Sequence, residues 1–175
     1  IKIVIEYGML SEEKFYEKSE KFALYPTVDE KFYTYEELYN KIKAKQTDKD
    51  DKLIILYASD KQAQHSYIQN AKNKGYEVLL LDSPIVSHLI QKLETSKENI
   101  QFARVDSDHI DNLINKDKNK ISKLNDDQKK ELEEIVKNII NDDKFVIKLE
   151  SMDSKDNPFI ITNPEFMRRM KEMQQ

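Results

Sequence analysis

The chain has 175 residues, of which 35% are charged, with 29 Lys and Arg against 33 Asp and Glu for a net charge of −4. That balance provides no strong basic field to hold a phosphate backbone, so nucleic acid is not an expected partner. With no cysteine and only two glycines, Gly8 and Gly75, disulfides, thiolate chemistry and glycine-rich phosphate cradles are excluded as well.

No apolar run approaches the roughly 20 residues that a membrane helix needs, and no signal-peptide pattern opens the chain. The expectation is a cytoplasmic location away from the membrane. The chain opens on Ile1 and stops at Gln175 within a run that reads as helix, which suggests a piece of a longer protein, one and a half domains in extent.

In chain order, residues 1–10 are apolar and fit either a strand or the tail of a helix, which periodicity does not separate over so short a run. Ser11 with Glu12 and Glu13 suggests a helix start over 12–21, ended near Pro26. Thr34 and Glu37 form a capping box, with Tyr33 and Leu38 as its hydrophobic staple, and predict a helix over 35–44. Residues 46–52 are polar loop, and 53–57 are a continuous apolar run of strand length. Ala63, Tyr67, Ile68 and Ala71 share one side of a helix that closes at Gly75, before a second buried strand at 78–81. Behind Pro84, the stripe Ile85, Val86, Leu89, Ile90 and Leu93 predicts another helix, and 102–105 a third strand.

Strands joined by helical connections of this length run parallel with right-handed crossovers, giving a three-layer α/β/α subdomain with a mainly parallel sheet. From 106 to 127 the composition shifts to Asp, Asn, Lys and Ser, relieved by Ile110, Leu113, Ile114, Ile121 and Leu124, and a domain boundary falls there. Beyond it, Asn125 and Gln128 suggest a capping box for a helix whose stripe is Leu132, Ile135, Val136, Ile139 and Ile140. Residues 145–149 and 159–161 read as antiparallel strands joined by a turn around Lys155, Asp156, Asn157 and Pro158, and Asn163 and Pro164 start a last helix. The second part is thus expected to be a partial α+β domain.

Several phrases, specific in combination, resemble the bacterial branch of the ninety-kilodalton heat-shock chaperone family. They are Tyr7, Gly8, Met9 and Leu10; the strand at 53–58; the helix end and strand from Lys74, Gly75 and Tyr76 through Leu81; then 144–149, Asn157 and Pro158, 159–161 and 165–170. The likeness runs nearly end to end. It implies the C-terminal part of the family's middle domain at 1–106, a boundary segment at 107–124, and the start of its C-terminal dimerisation and client-binding domain at 125–175. The implied parent is a homodimeric, ATP-driven chaperone of the stress response that binds unfolded or partly folded proteins and assists their folding. Its ATP and magnesium site and its catalytic arginine would lie before Ile1, and its dimerising helices after Gln175. This piece is therefore expected to be no enzyme, to hold no cofactor and to be mostly monomeric, with clients and the parent's own N-terminal and middle domains as partners.

On the last helix Phe166, Met170 and Met173 share one side, with Met167 at its edge. Such a stripe is ordinarily core, yet flexible thioethers suit surfaces that meet many partners. The resemblance implies client contact for these four. Ser87, His88 and Gln91 point away from their helix's apolar stripe and are expected to face solvent. Some relatives carry an acid and a tryptophan at Ser87 and His88 and use them for clients; this sequence departs from that, so plain surface is the first expectation there. His65, His88 and His109 have no ligand spacing, and Asp106, Asp108 and Asp111 lack the glycine and final glutamate of a calcium loop. No catalytic constellation is found. Two rival readings remain: a small-ligand enzyme domain using the strand ends near Ala58, Asp60, Asp82 and Ser83, and a passive scaffold. Exposure of Met170 and Met173 separates the second from client binding.

Overall fold

The computed structural model describes residues 2–116, 122–142, 144–152 and 158–173. It divides into two compact units, one formed by Ile1–Lys116 with Ile160–Gln175 and the other by Asp117–Phe159.

The first unit opens with two helices, α1 (Lys2–Ser11) and α2 (Glu13–Ser19). Residues 2–10 are therefore helical, and Ser11 ends α1 rather than capping α2. Its hydroxyl donates back to the Tyr7 carbonyl at 2.9 Å, and Glu12 takes the cap position. A small antiparallel pair follows, β1 (Tyr25–Pro26) with β2 (Phe32–Tyr33). Helix α3 (Tyr35–Gln46) begins on the expected capping box: the Glu37 amide donates to the Thr34 hydroxyl, and the Glu37 carboxylate accepts from the Thr34 amide at 2.8 Å. Tyr33 packs against the core cluster that contains Leu38.

Next come β3 (Leu53–Ala58), α4 (His65–Asn73), β4 (Val78–Leu80), α5 (Val86–Ser96), β5 (Ile100–Arg104) and the short α6 (Ile110–Leu113). The strands form a parallel sheet of order β4-β3-β5, with Leu56 opposite Val78 on one side and Ala103 on the other. Every residue of β3 is buried, the signature of a central strand covered on both faces. Its side chains alternate between two core clusters. Leu53, Ile55 and Tyr57 join Leu38, Ile90 and Phe102 on one face, while Ile54, Leu56 and Ala58 join Ile68, Ala71 and Ile114 on the other. The three-layer α/β reading holds.

Gly75 closes α4 in a Schellman arrangement: at φ 74° it lets its own amide reach the Lys72 carbonyl at 2.8 Å and the Tyr76 amide reach Ala71 at 3.0 Å. Ala63 falls outside α4 and is exposed, because the turn ahead of the helix is closed by Asp60 and Gln64 accepting backbone amides. Ile110 and Ile114, read as part of a boundary, are buried in the α4-side cluster.

In the second unit, α7 (Asp126–Ile140) starts on the Asn125–Gln128 capping box and ends at Asn141 in the left-handed conformation. None of its residues is buried, so the Leu132 to Ile140 stripe lies open. Residues 145–149 and 159–161 carry no strand. The reason is physical: Phe145, Val146, Phe159 and Ile161 are exposed, and a two-stranded ribbon with no layer against it is marginal in water. Ile121 and Lys155, Asp156 and Asn157 of the expected turn lie outside the described residues. The last helix, α8 (Glu165–Glu172), belongs to the first unit.

Candidate functional site

Helix α8 is the element on which the candidate residues meet. Asn163 anchors its approach by donating its backbone amide to the Asp106 carbonyl at 3.0 Å, and the Ile161 carbonyl accepts from the Tyr67 hydroxyl at 2.5 Å. Pro164 stands at the cap and Glu165 in the first turn, where a carboxylate complements the helix dipole.

One side of α8 carries Glu165, Arg168, Arg169 and Glu172, spaced so that neighbouring turns pair charges. Arg168 is buried. Its guanidinium donates to Glu165 at 2.5 Å, to both Glu172 oxygens at 2.6 Å and to the Tyr57 hydroxyl on β3, and lies 5.7 Å from the centre of the Tyr57 ring. The Tyr57 hydroxyl donates to Glu165 at 3.0 Å. Arg169 holds Glu165 at 2.7 Å, forks onto Glu94 of α5 at 2.7 and 3.1 Å, and donates to the Phe102 carbonyl at 2.9 Å. Glu172 accepts from Ser87 and lies 3.7 Å from Arg104, whose fork is on Asp106 at 2.6 and 3.0 Å.

The electrostatics follow. Burial pushes Tyr57 up, and the neighbouring Glu165 pushes it further. Glu165 and Glu172 are each pushed up by burial but pulled further down, Glu165 by Arg169 and Arg168 and Glu172 by Ser87 and Arg168, so both lie below the ordinary glutamate value. Among the described residues no cluster of His, Cys, Asp or Glu suits a metal ion.

The other side of α8 faces solvent: Phe166 is 71% exposed, Met167 65%, Met170 46% and Met173 41%. These four candidates are brought together and uncovered. Ser87 and His88 are not part of the group. His88 is exposed as expected, but Ser87 is buried, because Glu172 of α8 covers it, a tertiary contact that the pattern of its own helix does not register. The ionic partners of α8 were not among the sequence candidates. The spacing of Glu165, Arg168, Arg169 and Glu172 was the available signal; their remote partners left none.

At the rival ligand position, Asp60 caps a turn by accepting from Gln62 and Ala63, and Asp82 pairs with Lys2 at 2.5 Å. Asp106 is engaged by Arg104, Asp108 accepts from the His109 amide at 2.7 Å and Asp111 pairs with Lys74 at 2.5 Å. No helix among the described residues is long and apolar enough to cross a membrane.

The first unit is thus a parallel α/β fold whose last helix displays Phe166, Met167, Met170 and Met173 to solvent. No protein-family model matches the chain. Curated relatives do. The chain is 44% identical over 99% of its length to chaperone HtpG of Bacteroides fragilis and to that of Bacteroides thetaiotaomicron, and 40% identical over its whole length to that of Porphyromonas gingivalis. Over this stretch the chain is similar to the HtpG chaperones, and it spans 26% of their length. A looser likeness, at TM-score 0.44 and 18% identity over 58% of this chain and 42% of the other, is to the middle domain of a heat-shock protein of Plasmodium falciparum.

Proposed function

We propose that the chain is the part of an ATP-dependent HtpG-type chaperone in which the end of the middle domain (1–106) passes through a boundary (107–124) into the start of the C-terminal domain (125–175). In this reading the sheet unit transmits motion between domains, and Phe166, Met167, Met170 and Met173 contact unfolded or partly folded clients. ATP, magnesium and the catalytic arginine belong to other parts of the parent, which acts as a cytoplasmic homodimer. The match to HtpG along the whole chain carries the proposal. The uncovered side of α8 supports the client role, since rigid rings and pliable thioethers can meet many apolar sequences.

The test is to replace Phe166, Met167, Met170 and Met173 together by serine in the full-length protein and measure anisotropy of a labelled, permanently unfolded protein. Binding weaker by about tenfold or more, with unchanged circular dichroism, is expected when such anchors are lost. Binding equal to that of the parent refutes the client role.

A further inference from the structure

Helix α8 docks with its polar side inward and its apolar side outward. Its only buried residue is Arg168, and Phe166, Met167, Met170 and Met173 are all exposed. Apolar burial, the usual force that holds a helix on a sheet, therefore adds no fully buried side chain of α8 to this contact. An isolated helix of eight residues does not persist in water on its own propensity either.

What holds α8 is the charged cluster. Arg104, Arg168 and Arg169 stand among Glu94, Asp106, Glu165 and Glu172, with the hydroxyls of Tyr57 and Ser87 completing the set. Partly buried ion pairs recover in mutual attraction roughly what they lose in hydration, so they leave a small net balance, whereas removal of one member costs heavily. A contact built this way is near its tipping point. The sheet beneath it is not, since β3 is buried throughout.

We infer that α8 is a detachable latch, held on the C-terminal ends of β3 and β5 by ion pairs rather than by apolar packing, so that screening or loss of single carboxylates releases it while the sheet stays folded. Docked, it presents Phe166, Met167, Met170 and Met173 at a fixed place; released, it presents them on a tether. The inference stands whether or not those residues bind a client.

Trypsin cuts after Arg168 and Arg169, and docking covers both. The rate of cutting there in the 175-residue chain is divided by that of the matching 160–175 peptide, and cutting after exposed Lys123 serves as the internal reference. Raising salt from about 0.1 M to about 1 M shortens the screening length from about 10 Å to about 3 Å, and cutting at the arginines is expected to accelerate while the urea midpoint of the sheet is unchanged. Glu94→Gln with Glu172→Gln should accelerate it by about tenfold or more, as expected for lost hydrogen bonds to charged groups. Phe166→Ser with Met170→Ser should leave it unaltered. The inference is overturned if salt and the glutamine variants have no effect, if cutting rises only where the whole unit unfolds, or if the serine variant loosens α8 as much as the glutamine variant does.

Discussion

Replacing Gln46 tests how α3 is stitched to the sheet. Gln46 is the last residue of α3 and 1% exposed. Its amide nitrogen donates to the Ile54 carbonyl at 2.9 Å, and its amide oxygen accepts from the Glu77 amide at 2.6 Å. One side chain thus satisfies a backbone group of β3 and another at the entry to β4. Gln46→Ala deprives both of their partner, and each buried polar group so orphaned costs about 1–3 kcal/mol. Taking a total of about 3 kcal/mol, and about 2–4 °C per kcal/mol for a chain of this size, the melting temperature should fall by about 6–12 °C. Gln46→Leu fills nearly the same space without either hydrogen bond and should cost almost as much. Urea and thermal unfolding followed by far-ultraviolet circular dichroism give both numbers. Full recovery of stability in the leucine variant would mean that packing, not backbone satisfaction, is what Gln46 supplies.

Three further outcomes are expected. Thr34→Ala removes the hydroxyl to which the Glu37 amide donates and should cost about 1 kcal/mol in urea unfolding. Gly75→Ala places a side chain at φ 74°, with its Cβ 2.6 Å from Lys45 Nζ; the lysine can swing away, so a cost of about 1–2 kcal/mol from the left-handed conformation should persist in a Lys45→Ala background. Because Glu165 and Glu172 lie below the ordinary value of 4.5 when docked, their contribution is complete above pH 4.5 and is lost as the pH falls through those lowered values. The groups facing them are Arg168 and Arg169 on α8, Tyr57 on β3, Arg104 on β5, Asp106 just after it, and Glu94 and Ser87 on α5. Methyl spectra of Met167, Met170 and Met173 should shift in that acid window, and spectra constant through it would count against the ionic hold.

The sheet was legible because 53–57 and 78–81 are apolar without alternation, a pattern that only strands covered on both faces require. The caps at Thr34, Gly75 and Asn125 were legible because each is a local motif whose donors and acceptors lie within a few residues. Residues 2–10 were not, since one or two turns fit either period. The strands expected at 145–149 and 159–161 failed for the opposite reason: local apolar content was read correctly, but a strand also needs a covering layer, which no local window reports. Ser87 failed likewise, its burial being set by Glu172, 85 positions away.

The apolar side of α8 and its ionic side are consequences of one placement. In an open parallel sheet the C-terminal ends of the strands where chain order reverses offer a crevice for ligands, and in the order β4-β3-β5 that place lies between β3 and β5. Here Glu165 takes the Tyr57 hydroxyl and, at 3.3 Å, the Arg104 amide, while Arg169 takes the Phe102 carbonyl. A charged segment of the chain itself sits in that crevice, on the β5 side of β3, whereas the rival reading put a ligand at the ends of β3 and β4. To make those bonds the helix must turn its charges inward, and at 3.6 residues per turn that turns Phe166, Met170 and Met173 outward. Exposure of the candidate binding face therefore follows from the ionic docking, and a change that buried those side chains would have to break it.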